Sequence, residues 1–423
     1  LLIRALKIKP DYVDALNNFG ISSKLSKNYI DAISIFKKLI NLKPNFLNSY
    51  VNLGNCLQYV NNFEEALTIY DQALNINPNS IDALYNKGTC LYELNLHEKA
   101  IDTYKKVLKL NSNHIETKWN LAVIQLLNGN YTEGWKNHEI RKIREKSKKE
   151  YENLIKEKNW TGSEKLKNKT IFVQSEQGLG DYIQYSRYLP MLENLGAKII
   201  LNTPKSIDKI IRTLKINYSH VNDVKDLKFD YNCSLMSLPL AFKTNINNIP
   251  NKTPYLFTPE AEKNYWKKKL GSKSVKRIGL HWTGNEKNEY ERFRRIELEK
   301  LRKLLVLPFE FHSLEIDYNK SDLSVMKKYK NLICHKNEIL GFDKTAGLIE
   351  SMDLIISIDS GVLHLCGALN KPTWLLLPFR PDFRWLLNRE DSPWYPSMKL
   401  YRQTKKNDWD NVITKVEKDL INF

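Results

Sequence analysis

The sequence predicts two architectures in one chain: a stack of helical hairpins over the first third, then an α/β region built on parallel sheets. Two observations carry this reading. Gly20, Gly54 and Gly88 recur every 34 residues, and Ala32, Ala66 and Ala100 follow with the same period. Beyond Trp160 the rhythm changes to short apolar runs alternating with amphipathic segments, the pattern of strands joined through helices. At 423 residues the chain is long enough for two or three domains.

The repeat holds position by position. Phe36, Tyr70 and Tyr104 come four residues after the alanines, one turn further along the same helix face. Pro10, Pro44 and Pro78 close the helices, and Ser112 stands in the next such position. Gly and Ala mark where the two helices of a hairpin cross, because a larger side chain would force them apart. Full repeats run over 13–46, 47–80 and 81–114. A degenerate fourth begins near Ile115, with Ala122 at the Gly position and Gly134 at the Ala position. This resembles the 34-residue tetratricopeptide (TPR) pattern, with Leu16, Tyr50 and Leu84 in place of the consensus tryptophan. Residues 1–12 resemble the end of an earlier repeat, with Ala5 and Pro10 in phase, so the array is expected to extend upstream. Repeats of this kind bury their core only by stacking, and the resemblance implies a groove that holds a protein or glycan partner.

Charge narrows the partners. The formal net charge is +18, from 66 Lys and Arg against 48 Asp and Glu. The basic residues are interspersed with acidic ones, and 141–157 reads as a solvated helix laced with ion pairs. No zinc finger, RRM or helix-turn-helix signature appears, so no specific nucleic-acid partner is expected. Such a charge favours phosphorylated sugars and other anions. No apolar run approaches the roughly 18 residues of a membrane span, and no signal-peptide pattern opens the sequence. The five cysteines include no C-x-x-C pair, and Cys56 and Cys90 sit one repeat apart at packing positions. These features point to a reducing, cytoplasmic setting.

Strands are expected in the α/β region at 170–174, 198–202, 277–281, 309–314, 331–335, 354–358 and 373–377. Helices are expected from Asp181 and over 206–214. The span is large for one sheet, and the polar segment 260–274 offers a cut. The expected organisation is therefore repeats over 1–148, a charged helical linker over 149–165, and two Rossmann-like halves over 166–265 and 270–423 with a cleft between them.

One strand-to-helix turn stands out in each half. The first runs Glu176-Gln177-Gly178-Leu179-Gly180-Asp181, where the glycines permit a tight turn and close approach of a ligand to the backbone. The third glycine and the distal acidic residue of a dinucleotide fingerprint are missing, as is a Walker lysine. A purely structural turn fits equally well. The second runs Asp359-Ser360-Gly361-Val362-Leu363-His364 into the small-residue segment Gly367-Ala368-Leu369. Backbone N–H groups near 360–362 would bind an anion at the helix start, and His364, one turn in, would reach the same anion. An N-cap beside a packed histidine accounts for the same residues.

The second turn, followed by Lys371-Pro372-Thr373-Trp374, is similar to the nucleotide-sugar motif of the ADP-heptose:lipopolysaccharide heptosyltransferases, glycosyltransferase family 9. Gly180-Asp181 resembles that family's Gly-Asp element. The span 160–403, including His281-Trp282-Thr283-Gly284-Asn285 and 389–396, resembles bacterial TPR proteins with a heptosyltransferase-like C-terminal domain. Pro190 departs from the heptosyltransferase pattern, coming later after Asp181 than in those enzymes. The resemblance implies a GT-B fold and an inverting, metal-independent glycosyltransferase with no cofactor beyond its nucleotide-diphospho-sugar donor. Asp181 would be the general base, with Gln177, Gly178 and Gly180 forming the acceptor-side loop. Asp359, Ser360, Gly361, Val362 and His364 would bind the donor. The loop 285–295, with Lys287, Arg292, Arg294 and Arg295, reads either as a solvated loop or as a phosphate clamp, and Arg295 is the first choice for the clamp. Trp385, Trp394 and Tyr395 suit stacking on a ligand or simple packing. Asp408-Trp409-Asp410 reads as helix capping rather than as a metal site. Two alternatives remain open: a non-catalytic scaffold with a sugar-nucleotide domain, and a protein O-glycosyltransferase.

Overall fold

The computed structural model describes residues 2–144, 159–221, 227–284 and 291–423. The chain divides into two compact units: Leu1–Leu126 with Lys136–Lys146, and Leu127–Trp135 with Ser147–Phe423.

The first unit is helical. Three hairpins pair Val13–Leu25 with Tyr29–Leu42, Leu47–Tyr59 with Phe63–Ile76, and Ile81–Glu93 with His97–Leu110. The small residues have a visible cause. A Cβ on Gly20 would lie 2.8 Å from the Phe36 ring, and one on Gly54 or Gly88 would lie 2.5 Å from the ring of Tyr70 or Tyr104. Those three rings are fully buried, as are Ala32, Ala66 and Ala100. A further 34-residue register lies in the turns, where Lys27, Asn61, Asn95 and Gly129 all take left-handed backbone angles. In the three full hairpins the next N–H closes the helix end, as Asn28→Ser23 O, Asn62→Leu57 O and Leu96→Leu91 O, each 2.9 Å, the Schellman arrangement.

Within the span 1–148 expected for the repeats, one segment groups elsewhere. Leu127–Trp135 belongs with the second unit, because Trp135 donates its Nε1–H to Thr244 O at 3.1 Å and meets Tyr185, Phe383 and Trp394 edge-on. Of the solvated helix expected over 141–157, the described part is Arg141–Arg144. Arg141 is buried there against Glu139 rather than solvated. Most of the expected linker, through 158, lies outside the described residues.

The second unit holds two parallel sheets. The first contains β1 (Thr170–Gln174), β2 (Lys198–Leu201), β3 (Tyr218–His220) and β4 (Tyr231–Ser234), in the order β3-β2-β1-β4. The second contains β5 (Arg277–His281), β6 (Glu310–Ser313), β7 (Leu332–Cys334), β8 (Leu354–Ile358), β9 (Thr373–Leu377) and β10 (Met398–Arg402), in the order β10-β9-β8-β5-β6-β7. Every residue of β5 and β8 is buried, as expected of central parallel strands covered on both faces. In each sheet the order reverses at the first strand, so the loops after β1 and β4, and after β5 and β8, open at switch points where α/β sheets bind ligands.

Strands β3, β4 and β10 fall outside the expected set. Tyr218-Ser219-His220 and Tyr231-Asn232-Cys233-Ser234 are short and polar, without the apolar run that marks the others. The expected cut over 260–274 falls on a helix, Glu260–Leu270, which packs with the second sheet. Its Trp266 donates to Lys344 O at 3.2 Å and meets His335 edge-on, and a Cβ on Gly347 would lie 2.5 Å from the indole. Asp408 caps the closing helix Trp409–Ile421, accepting from Asn411 N at 3.1 Å.

Candidate functional site

The two turns singled out in the sequence meet. After β1, Gln177 takes a left-handed φ of 54°, and Gly178 caps the helix Leu179–Tyr185. Gly178 N donates to Asp181 Oδ2 at 3.0 Å, which fixes the Asp181 carboxylate over the helix start. After β8, Ser360 caps the helix Gly361–Ala368, its hydroxyl accepting from Leu363 N at 3.3 Å. Gly361 and Val362 supply the first two N–H groups of that helix, which have no partner within it. The two helix starts are in close contact. A Cβ on Gly180 would lie 2.8 Å from His364 Cδ2 and 3.2 Å from Gly361 Cα. Gly180 is therefore required by the approach of one turn to the other, whereas a Cβ on Gly361 would press on Phe342 Cζ at 3.2 Å and meet Gly180 N only at 3.6 Å.

The side chains between them form one network. Asp359 Oδ2 accepts from Trp385 Nε1 at 2.9 Å, and its Oδ1 lies 3.8 Å from His364 Nε2. His364 Nδ1 is 2.9 Å from the Tyr395 hydroxyl. Arg384, in the connection after β9, holds the first turn and its helix: it donates to Asp181 Oδ1 and to Gln184 Oε1, and to its neighbour Asp382 Oδ1 at 2.8 Å. Arg187 donates to Trp394 O at 2.6 Å and packs over the rings of Tyr255, Trp394 and Tyr395. Trp385, Trp394 and Tyr395 are fully buried, each with these neighbours.

Burial dominates the electrostatics. It raises the Asp181 carboxyl above its usual range, against the opposing pull of Arg384. It pushes Asp359 up to about 6, with the Asp382 charge adding to the effect. His364 is held well below the usual imidazole value by burial and by Arg384, Arg187 and Arg294, so it is neutral.

The loop after β5 reaches the site through Arg294. That guanidinium pairs with buried Glu291 at 2.8 Å and opposes protonation of both His364 and Asp359. Arg295, the residue chosen from the sequence, acts instead on Asp322. Arg292 packs on the Phe293 ring, and Lys287 lies outside the described residues. The loop's first residues are fixed by Glu315, whose carboxylate accepts from Trp282 N at 2.6 Å and from Thr283 N and Oγ1 at 2.8 Å. Among the described residues, no three His, Cys, Asp or Glu side chains converge as metal ligands.

Sequence reasoning missed Gln184, Arg187, Asp382 and Arg384. A signal existed for the last two. Strands β9 and β10 are joined by the long connection 378–397, which holds only the short turn Phe383–Trp385, and long connections of this kind are commonly functional.

Comparison with known proteins bears mainly on the first unit. A family model described as Tetratricopeptide repeat matches residues 45–113. Protein FlbA of Caulobacter vibrioides is 23% identical over 336 residues, 71% of this chain and 54% of FlbA. The chain thus spans about half the length of that curated relative, and a match of this length extends into the α/β region. Among solved structures, MamA is 23% identical, with 36% of this chain and 88% of MamA covered and a TM-score of 0.33. YrrB, described as a TPR protein with an unusual peptide-binding site, is 18% identical, with 34% and 75% covered and a TM-score of 0.31. The family match and the hairpin register agree: the first unit carries TPR repeats and is a protein-binding scaffold. No helix among the described residues is long and apolar enough to cross a membrane.

Proposed function

We propose that the second unit is a GT-B-type glycosyltransferase that uses a nucleotide-diphospho-sugar, and that the repeats hold the protein or glycan acceptor. The observation that carries this reading is the convergence of Asp181, from a turn of the first sheet, with Asp359, Ser360 and His364, from a turn of the second. Both turns follow central parallel strands. In the proposed reaction Asp181 takes the proton of an acceptor hydroxyl as that oxygen attacks the anomeric carbon. The bond from the anomeric carbon to the nucleotide breaks on the opposite side, and its electrons pass to the terminal phosphate oxygen. Charge there would be met by the N–H groups of Gly361 and Val362, by neutral His364, and by Arg384 and Arg294. In the repeats, Asn18, Asn52, Asn86 and Asn120 recur in the 34-residue register and offer amide groups to an acceptor.

A thermal-shift screen of UDP-, GDP- and ADP-sugars, followed by a nucleotide-release assay with the best binder, tests the reading. Asp181→Asn should lower transfer at least about a hundredfold, the lower end of a general base's contribution. Transfer at the wild-type rate would refute the base role. A second reading, a scaffold without catalysis, is favoured by the tight packing of Gly180 on His364 and Gly361. Nucleotide binding without transfer to any acceptor would select it.

A further inference from the structure

The Asp181 carboxylate has both oxygens engaged, Oδ2 by Gly178 N–H at 3.0 Å and Oδ1 by the Arg384 guanidinium. A carboxylate paired with a guanidinium is a weaker proton acceptor than a free one in the same surroundings. Arg384 is engaged to a similar degree, its three nitrogens meeting Gln184, Asp382 and Asp181. It is buried, and its backbone is held by a short helical turn, Phe383–Trp385. Beside it Gln184, fully buried, keeps its Nε2 without an acceptor, although its Oε1 takes the Arg384 Nε–H. A buried amide donor without an acceptor is costly. A second donor of this kind next to a guanidinium suits an anionic oxygen-rich ligand better than it suits the arrangement of carboxylates alone.

We propose that Arg384 is a phosphate-binding residue whose present partner, Asp181, is displaced by the phosphates of a nucleotide ligand, so that one event binds the anion and frees the carboxylate. The identity of the ligand rests on the glycosyltransferase reading above. The competition for Arg384 does not depend on catalysis. While Asp181 holds the guanidinium, the pair between the first turn and the connection after β9 keeps both groups from these roles. When a diphosphate takes the guanidinium, Asp181 keeps only the Gly178 N–H and can receive a proton. The consequence is an order of events, with anion first and acceptor deprotonation second.

The sign of one mutation tests this. If Asp181 competes with phosphate for Arg384, then Asp181→Asn should bind inorganic pyrophosphate and UDP about tenfold more tightly than the wild type, because a charge-assisted bond no longer has to be broken. Arg384→Gln should weaken both by about tenfold or more, and the double variant should match Arg384→Gln alone. Titration calorimetry reads all four proteins, with circular dichroism confirming the fold. Asp181→Ser, which retains an acceptor for Gly178 N–H, replaces Asp181→Asn if the latter does not fold. Equal affinity in wild type and Asp181→Asn overturns the competition and leaves nucleotide binding standing. Pyrophosphate and UDP failing to bind wild type and all variants overturns both this inference and the reading it rests on. Binding by Asp181→Asn alone supports the competition in its strongest form.

Discussion

The edge of the second sheet carries a buried chain of titratable groups that should make the protein acid-labile in a defined window. His312 on β6 is fully buried, and His335, just beyond β7, is 3% exposed. His312 Nε2 lies 2.7 Å from Glu310 Oε1, His312 Nδ1 lies 2.9 Å from His335 Nε2, and His335 Nδ1 lies 3.3 Å from Glu338 Oε2. Glu310 also pairs with Arg277, and Glu338 with Lys269 and Tyr265. Glu310 takes the His312 Nε2–H, so His312 Nδ1 accepts from His335 Nε2–H, and His335 Nδ1 is left without a proton. Burial opposes adding one, with the neighbouring His312 and Lys269 acting in the same direction, and lowers His335 from 6.5 to about 4. Burial lowers His312 as well. A histidine whose pKa is depressed by folding is protonated first in the unfolded chain, so stability is full above pH 6.5 and falls as the pH drops toward 4. Between pH 7 and 5 the unscreened loss for His335 is about 2 kcal/mol, which solvent near the Glu338 end reduces to about 1 kcal/mol. Urea unfolding followed by tryptophan fluorescence suits the measurement, since the Trp266 ring lies 4.9 Å from the His335 ring. His335→Gln should flatten the acid limb. A His335 midpoint above 6.5 by NMR, or stability unchanged between pH 7 and 5, would mean that the Glu338 charge outweighs burial and would refute the reasoning.

Three further outcomes are expected. Gly88→Ala should destabilise the repeats by about 1–2 kcal/mol, overpacking against Tyr104 outweighing the gain in helix propensity; Tyr104→Leu in the same chain should recover part of that loss in thermal unfolding. Gly361→Val should weaken nucleotide binding by calorimetry, because its Cβ already lies 3.2 Å from Phe342 Cζ and the added methyls crowd the helix start; undiminished binding in a folded variant would remove that helix start from the site. Because Asp359 is raised to about 6, it is largely neutral at pH 5 and charged at pH 8. The ratio of UDP affinity at pH 5 to that at pH 8 should therefore be higher in the wild type than in Asp359→Asn, a comparison that cancels the titration of UDP's own phosphate.

The parts legible in the sequence are those specified locally. Gly20, Gly54 and Gly88 gave the hairpin crossings because each faces a single ring sixteen residues on, a relation the repeat itself copies. Strands β1, β8 and β9 were legible because burial in the sheet leaves a run of consecutive apolar residues. The turns at 176–181 and 359–364 were legible because a tight strand-to-helix turn needs glycine and a cap. Strands β3 and β4 were not, since two polar segments of three and four residues are strands only by pairing with β2 and β1.

Arg384 illustrates the remainder. It lies 203 residues from Asp181, and neither residue's surroundings refer to the other. Its orientation is set instead by a strained turn, since Leu386 takes φ 50° and ψ −165°, a region nearly reserved for glycine. Such strain persists only where other contacts over-determine it. Here Arg402, on β10, donates to the carbonyl groups of Trp385, Leu386 and Arg389, and so holds the turn from the sheet side. A half-buried guanidinium committed to three carbonyls of one turn fixes a backbone that the turn's own residues would not choose. The strain therefore marks Arg384 and Trp385 as residues held in position against local preference, beside Asp181 and Asp359. Neither the clamp nor the strain has a sequence pattern, because the arginine contributes through backbone oxygens that every residue possesses.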